Sequence, residues 1–93
     1  MINTDKFKTS LVKFLFGVDK TTVDDQKFLE LQLAAYDYFI AFMKYNITKD
    51  LGTKEAIRFS SALKYGVETV ELTFPDFSII IDKYLEQFKT INQ

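Results

Sequence analysis

The sequence contains no cysteine, no histidine and no tryptophan, which narrows the chemistry open to this chain. Without cysteine there is no disulfide scaffold, no thiolate nucleophile and no thiolate ligand for zinc or an iron–sulfur cluster. Without histidine the chain lacks the usual general base near neutral pH and the commonest transition-metal ligand. No nucleophile motif or nucleotide-binding loop is present either. We therefore expect a protein that is not an enzyme, with no catalytic residue, no metal and no cofactor.

Arginine is also scarce, because Arg58 is the single arginine among twelve basic residues. The formal net charge is −1, whereas nucleic-acid-binding domains usually carry clear positive charge and several arginines. We therefore do not expect nucleic acid as a partner. One alternative stays open, a nucleic-acid-associated regulator that uses the lysines nearest the N-terminus. These are Lys6, Lys8, Lys13, Lys20 and Lys27.

No apolar run is long enough to cross a membrane, since Asp37 interrupts the longest one well short of about 20 residues. The first residues show no basic and apolar signal-peptide pattern. We expect a cytoplasmic protein without a transmembrane segment. A small cysteine-free chain that prefers lysine to arginine is also typical of accessory proteins from phages, plasmids and AT-rich bacterial genomes.

Glycine and proline are few, three and one in 93 residues, and they divide the chain into stretches with helical spacing of apolar residues. The sequence predicts an all-α fold, a compact four-helix bundle-like single domain over residues 1–93 with a long central second helix. The predicted helices span residues 5–16, 23–45, 54–67 and 76–91.

Several residues are suited to begin or end these helices. Thr4 is the expected N-cap of the first helix, and Gly17 is the expected left-handed residue at its end. Thr21 or Thr22 should cap the second helix, and Thr53 the third. In the next segment, residues 67–74, apolar and polar residues alternate. We interpret this segment as the frayed end of the third helix followed by an extended link, with a short strand as the alternative.

A turn signal precedes the last predicted helix. Pro75 is favourable in the first turn of a helix, so the fourth helix should start beside it, capped by Thr73 or Asp76. Asp76 also belongs to the densest acidic group, with Glu68 and Glu71. We expect this group to form a solvated surface rather than a metal site.

Aromatic residues, in contrast, are abundant, with ten phenylalanines and five tyrosines. Along the second helix they join other apolar residues in two ladders with spacings of three and four. The first ladder is Phe28, Leu31, Ala35, Tyr38, Phe42 and Tyr45. The second ladder is Leu29, Leu33, Tyr36, Ile40, Met43 and Ile47. A soluble helix needs only one such stripe, so this helix should be covered on most of its circumference.

The other helices offer too little apolar surface to cover both ladders, because the third predicted helix has a weak stripe. Apolar surface left open usually marks an interface, and two-fold homodimers are the commonest way to close one. We therefore expect a homodimer or a complex with a protein partner, built on the second and fourth helices. The candidate contacts are Tyr36, Phe39, Ile40, Met43, Tyr84 and Phe88.

A narrow third row between the ladders contains Asp37 among small residues. Asp37 either faces water or, because Ala34 and Ala41 allow close approach, pairs with a lysine of a second helix. The function predicted is a protein-interaction module of the regulator, inhibitor or immunity type that acts by binding a partner protein. A small hydrophobic ligand or lipid, held in an open space around the second helix, is the remaining alternative.

Overall fold

The fold is all-α, as predicted, in a computed structural model that describes residues 3–74 and 77–92. Five helices and no strand occur in these ranges, one helix more than the four predicted. The helices are α1 (Thr4–Phe16), α2 (Asp25–Leu51), α3 (Thr53–Tyr65), α4 (Val67–Thr73) and α5 (Phe77–Ile91). No helix in the described ranges is long and apolar enough to cross a membrane.

The ends of α1 are fixed by Asn3 and Gly17. The Asn3 side chain accepts a hydrogen bond from the Lys6 N–H at 3.1 Å, so Asn3 is the N-cap and the prediction of Thr4 was wrong by one residue. Gly17 adopts a left-handed conformation with φ 66°, and its N–H donates to the Lys13 carbonyl at 3.0 Å, as predicted. The Thr4 hydroxyl is engaged in a contact with α4 instead.

Helix α2 is the longest element and extends beyond its predicted end. Its N-cap is Asp24 rather than a threonine, since the Asp24 carboxylate accepts from the Lys27 N–H at 2.7 Å. Asn46 and Thr48, assigned to a connection by the sequence, donate instead to carbonyls one turn back within the helix. With 27 residues, α2 is about 40 Å long and sets the 39 Å longest dimension of the molecule.

Residues 67–73 form helix α4, which corrects the prediction of a frayed end and an extended link. Gly66, with φ 145°, separates α3 from α4. Val67 and Val70 are both completely buried, and a spacing of three places them on one side of a helix. The alternation in sequence therefore reflected a short helix with one buried side. Pro75 and Asp76, the predicted start of the last helix, lie outside the described residues.

The core is arranged around α2, which packs against α1, α3 and α5, while α3 continues into α4. Phe39 and Phe88 lie at its centre, both completely buried. The ring of Phe88 on α5 is surrounded by four rings from α1 and α2, with centroids 5.2 to 6.2 Å away. These rings belong to Phe14, Tyr38, Phe39 and Phe42.

Candidate protein interface

The six residues predicted to contact a partner all lie in the core of the single chain. These are Tyr36, Phe39, Ile40, Met43, Tyr84 and Phe88. The physical reason is that neighbouring helices cover them, and the polar tips of the two tyrosines are also satisfied internally. The Tyr36 hydroxyl donates to the Leu63 carbonyl of α3 at 2.5 Å, and the Tyr84 hydroxyl donates to Asp50 at 2.6 Å. These side chains have almost no surface to offer, so an interface must use other residues.

The burial of these two tyrosines also perturbs their ionisation. Burial, with a smaller contribution from the nearby Glu68 carboxylate, raises the pKa of Tyr36 to about 12. Burial and the hydrogen bond to Asp50 raise the pKa of Tyr84 to about 12. Both phenols, which are neutral near pH 7 even at the ordinary tyrosine pKa of 10.0, act in the folded chain as hydrogen-bond donors that tie α2 to α3 and α5 to α2.

Parts of both ladders nevertheless remain open. In the second ladder Leu29 and Leu33, both in the first turns of α2, are exposed. In the first ladder Tyr38 is 48 % exposed and Tyr45 is 71 % exposed. The expectation of uncovered apolar surface on α2 thus agrees with the structure, although the residues that carry it differ from those predicted.

The two exposed tyrosines belong to a stripe that we call the outer face of α2. It comprises Ala34, Tyr38, Ala41, Tyr45 and Thr48, all exposed. Spacings of four and three place these residues on one side of the helix, opposite the buried Phe39 and Met43. A helix normally presents charged and polar side chains to water. The outer face instead alternates small residues with aromatic ones and has no charge along its midline.

Two shallow grooves accompany this stripe. One, of about 430 Å³, lies beside Tyr45, and the described residues that line it belong to α2. The other, of about 310 Å³, lies beside Tyr38, where α1 contributes Leu15 and the half-exposed Phe16. Tyr38 is held in place because its hydroxyl donates to Asn92 at 2.9 Å and its ring lies 5.5 Å from that of Phe88. The surface around the outer face is therefore grooved rather than flat, and at least one of its aromatic rings is held in a fixed position.

Charged residues border the outer face on both edges. Asp37 and Lys44 lie on one edge and Lys49 on the other, all exposed. Among the described residues the ion pairs are Lys13–Asp19 and Arg58–Glu55, so Asp37 and Lys44 have no ionic partner within that part of the chain. Asp37 thus faces water in the single chain, and it remains available to a lysine of another chain.

In the acidic group, the Glu68 carboxylate is engaged in hydrogen bonds within the chain. The Glu68 carboxylate accepts hydrogen bonds from the Thr4 N–H, at 2.6 Å, and from the Thr4 hydroxyl. These bonds lower the pKa of Glu68 below its usual value, and they connect α4 to the start of α1. Asp76 lies outside the described residues, and no cluster of three potential metal ligands occurs within the described ones.

The lysines of the nucleic-acid alternative are partly engaged within the chain. Lys13 pairs with Asp19 at 3.0 Å, and the Lys8 amino group lies 4.8 Å from the centre of the Tyr36 ring. For a hydrophobic ligand, the groove between α1 and α5 beside Phe88 has a volume of about 190 Å³. Ligand pockets usually measure roughly 300 to 1,000 Å³, so this groove is small for that role, whereas the shallow grooves beside Tyr45 and Tyr38 reach that volume.

Comparison with known proteins gives no further guide to the site. The chain matches no protein-family model, no curated protein and no solved structure.

Proposed function

We propose that this chain is a non-enzymatic protein-interaction module that binds a partner protein through the outer face of α2. The observation that supports this most is the exposure of two tyrosines, Tyr38 and Tyr45, next to Ala34 and Ala41 on the solvent side of a long helix. Tyrosine is enriched in protein interfaces and among the residues that dominate binding energy, since its large ring loses little conformational entropy.

The rigid core explains how such a face is presented. Phe39 and Met43 anchor α2 from below, and Tyr38 is tied to α5 through Asn92. Because the Tyr38 side chain is already held in place, it loses less entropy on binding, which favours affinity. In this proposal the whole chain is one domain working in the cytoplasm, and it acts by occluding or tethering its partner, as regulators, inhibitors and immunity-type proteins do. No catalytic step is assigned, because the sequence has neither histidine nor cysteine.

The proposal is tested by capture with immobilised protein. Wild-type chain, Tyr45→Glu and Ala41→Glu would each be incubated with extract of cells that express the chain and with purified chain. Each glutamate places a charge where a contact would bury it, so we expect at least a tenfold loss of bound protein. Ile57→Glu is the matched control, because Ile57 is also a large exposed apolar residue but lies on α3.

Equal retention of the same proteins by wild type and both α2 variants, with all variants folded, would refute a role for the outer face. Loss of binding with Ile57→Glu alone would move the interface to α3.

A further inference from the structure

Resting on the proposed function, we infer that the outer face of α2 binds a second copy of this chain, with the two α2 helices antiparallel about a two-fold axis between Tyr38 and Ala41. The outer face has the spacing of a coiled-coil seam, alternating four and three residues. A seam on the solvent side of a helix needs a second helix to cover it. Shape and charge both indicate which helix fits and in which direction.

The shape of the seam favours an antiparallel pair. Tyr38 then packs against Ala41 of the partner subunit, and Tyr45 packs against Ala34 of the partner subunit. Each large ring meets a small side chain, which allows the two helices to interlock at native packing density. A parallel pair in register would instead place tyrosine against tyrosine and alanine against alanine, alternating crowded layers with empty ones.

The charges on the edges of the seam favour the same direction. Asp37 and Lys44 are seven residues apart on one edge, about 10.5 Å along the helix, too far to pair with each other. In the antiparallel arrangement Asp37 comes within about 3 Å, along the axis, of Lys44 of the partner subunit. The two-fold axis repeats this pair, so two ion pairs form between the residues that have no ionic partner in the described chain.

The parallel arrangement is disfavoured by the same residues. In a parallel seam Lys44 would lie beside Lys49 of the partner subunit, and the symmetry would repeat this contact between like charges. Charges at the edges of a coiled-coil seam set partner choice and orientation. Lys44 thus favours the antiparallel orientation, in which it lies beside Asp37 of the partner subunit, and disfavours the parallel orientation, in which it lies beside Lys49 of the partner subunit.

The size of the face limits the strength of the dimer. From Ala34 to Thr48 the seam is about 21 Å long and one helix wide. The area that it can bury is therefore smaller than the roughly 800 Å² per partner of a standard interface. Phe16, 45 % exposed beside Tyr38, extends it. We therefore expect a dimer with a dissociation constant in the micromolar range, in rapid exchange with monomer and weakened by salt because two of its contacts are ionic.

The inference is tested by sedimentation equilibrium from about 1 µM to about 1 mM on the full chain. Wild type should form dimers and no larger species. Asp37→Lys and Lys44→Asp should each weaken association at least tenfold, since each places like charges together twice. The double variant Asp37→Lys with Lys44→Asp should recover to within about threefold of wild type. Asp82→Lys and Lys54→Asp, at exposed positions on α5 and α3, are the matched charge controls.

A spin label at Gln26→Cys, an exposed position on α2 outside the outer face, gives an independent measure of orientation, because the chain has no other cysteine. Antiparallel helices place the two labelled backbones about 40 Å apart along the axis, whereas parallel helices place them side by side at about 10 Å. A monomer throughout the concentration range would overturn the inference while leaving partner capture to decide the proposed function. A dimer with the short distance, or a double variant no better than the single ones, would overturn the arrangement.

Discussion

Phe88 is the residue on which the docking of α5 depends most, and its truncation is the sharpest test of the core. The side chain is completely buried, and the rings of Phe39 and Phe42 lie 5.3 and 5.2 Å from its own. Phe88→Ala removes all ring contacts at once and leaves a cavity. Such a change in a core costs about 3 to 5 kcal/mol, whereas small domains are stable by roughly 5 to 15 kcal/mol in total.

The loss of stability caused by Phe88→Ala can be measured by thermal and urea unfolding, followed by far-ultraviolet circular dichroism. For a domain of about this size 1 kcal/mol corresponds to roughly 4 to 8 °C in melting temperature, so a cost of about 3 to 5 kcal/mol should lower the melting temperature of Phe88→Ala by about 12 to 40 °C. Phe42→Ala should cost about 2 to 3 kcal/mol, because Phe42 is only half-buried. Tyr45→Ala is the matched control, since Tyr45 is 71 % exposed and should change stability by about 0.5 kcal/mol or less.

The three variants should lose stability in a fixed order, with the largest loss for Phe88→Ala, a smaller one for Phe42→Ala and the smallest for Tyr45→Ala. If Phe88→Ala melted within a few degrees of Tyr45→Ala, α5 would not be docked through Phe88 and the arrangement of the aromatic core would be refuted. Should Phe88→Ala fail to fold, Phe88→Leu provides the smaller perturbation, and it should still destabilise more than Tyr45→Ala.

Three further predictions concern ionisation and backbone conformation. The hydrogen bonds that lower the pKa of Glu68 contribute stability that is present above its unfolded value of 4.5 and is lost as pH falls through the folded pKa. Glu68→Gln should therefore make the stability measured by circular dichroism less dependent on pH in the acid range. The pKa of Tyr84 is raised from 10.0 to about 12, so stability is complete below pH 10 and falls as pH rises towards 12; Tyr84→Phe should flatten that fall in urea midpoints. At Gly66, with φ 145°, an added Cβ would lie 3.0 Å from the Thr4 hydroxyl oxygen, so in urea titrations Gly66→Ala should destabilise by about 1 to 3 kcal/mol, more than Gly17→Ala in open space.

The all-α class was predictable because the formation of helices depends on local spacing. The ladders of α2 repeat at three and four residues over several turns, and no other secondary structure places those residues together. Gly17 was predictable for a similar reason, since a left-handed helix end favours glycine strongly.

The cover over each ladder was not predictable, because it depends on elements that are distant in sequence. Tyr36 and Tyr84 were assigned to an interface since the sequence does not show that Leu63 and Asp50 meet their hydroxyls. The contact between Thr4 and Glu68 joins residues 64 positions apart and has no sequence signal. Helix α4 was missed because seven residues hold too few turns for a period of 3.6 to be distinguished from alternation.

The outer face of α2 was only half visible in sequence. Ala34, Asp37 and Ala41 were recognised as a row that allows close approach, while Tyr38 and Tyr45 were assigned to a ladder that should be covered. The structure places these tyrosines on the same side as the alanines. A seam becomes apparent only when the exposed residues are known, since buried and exposed ladders have the same spacing.

Self-association through the outer face of α2 is measured residue by residue in amide NMR spectra of the wild-type chain, recorded over a dilution series from about 1 mM to about 10 µM. If the outer face of α2 binds a second copy of this chain, amide resonances of Ala34, Tyr38, Ala41 and Tyr45 should shift with concentration, together with those of the charged residues at its edge. Resonances around Ile57 on α3 should stay constant and serve as the internal reference. Concentration-dependent shifts centred on α3 or α4, or no shifts at all, would contradict self-association through the outer face.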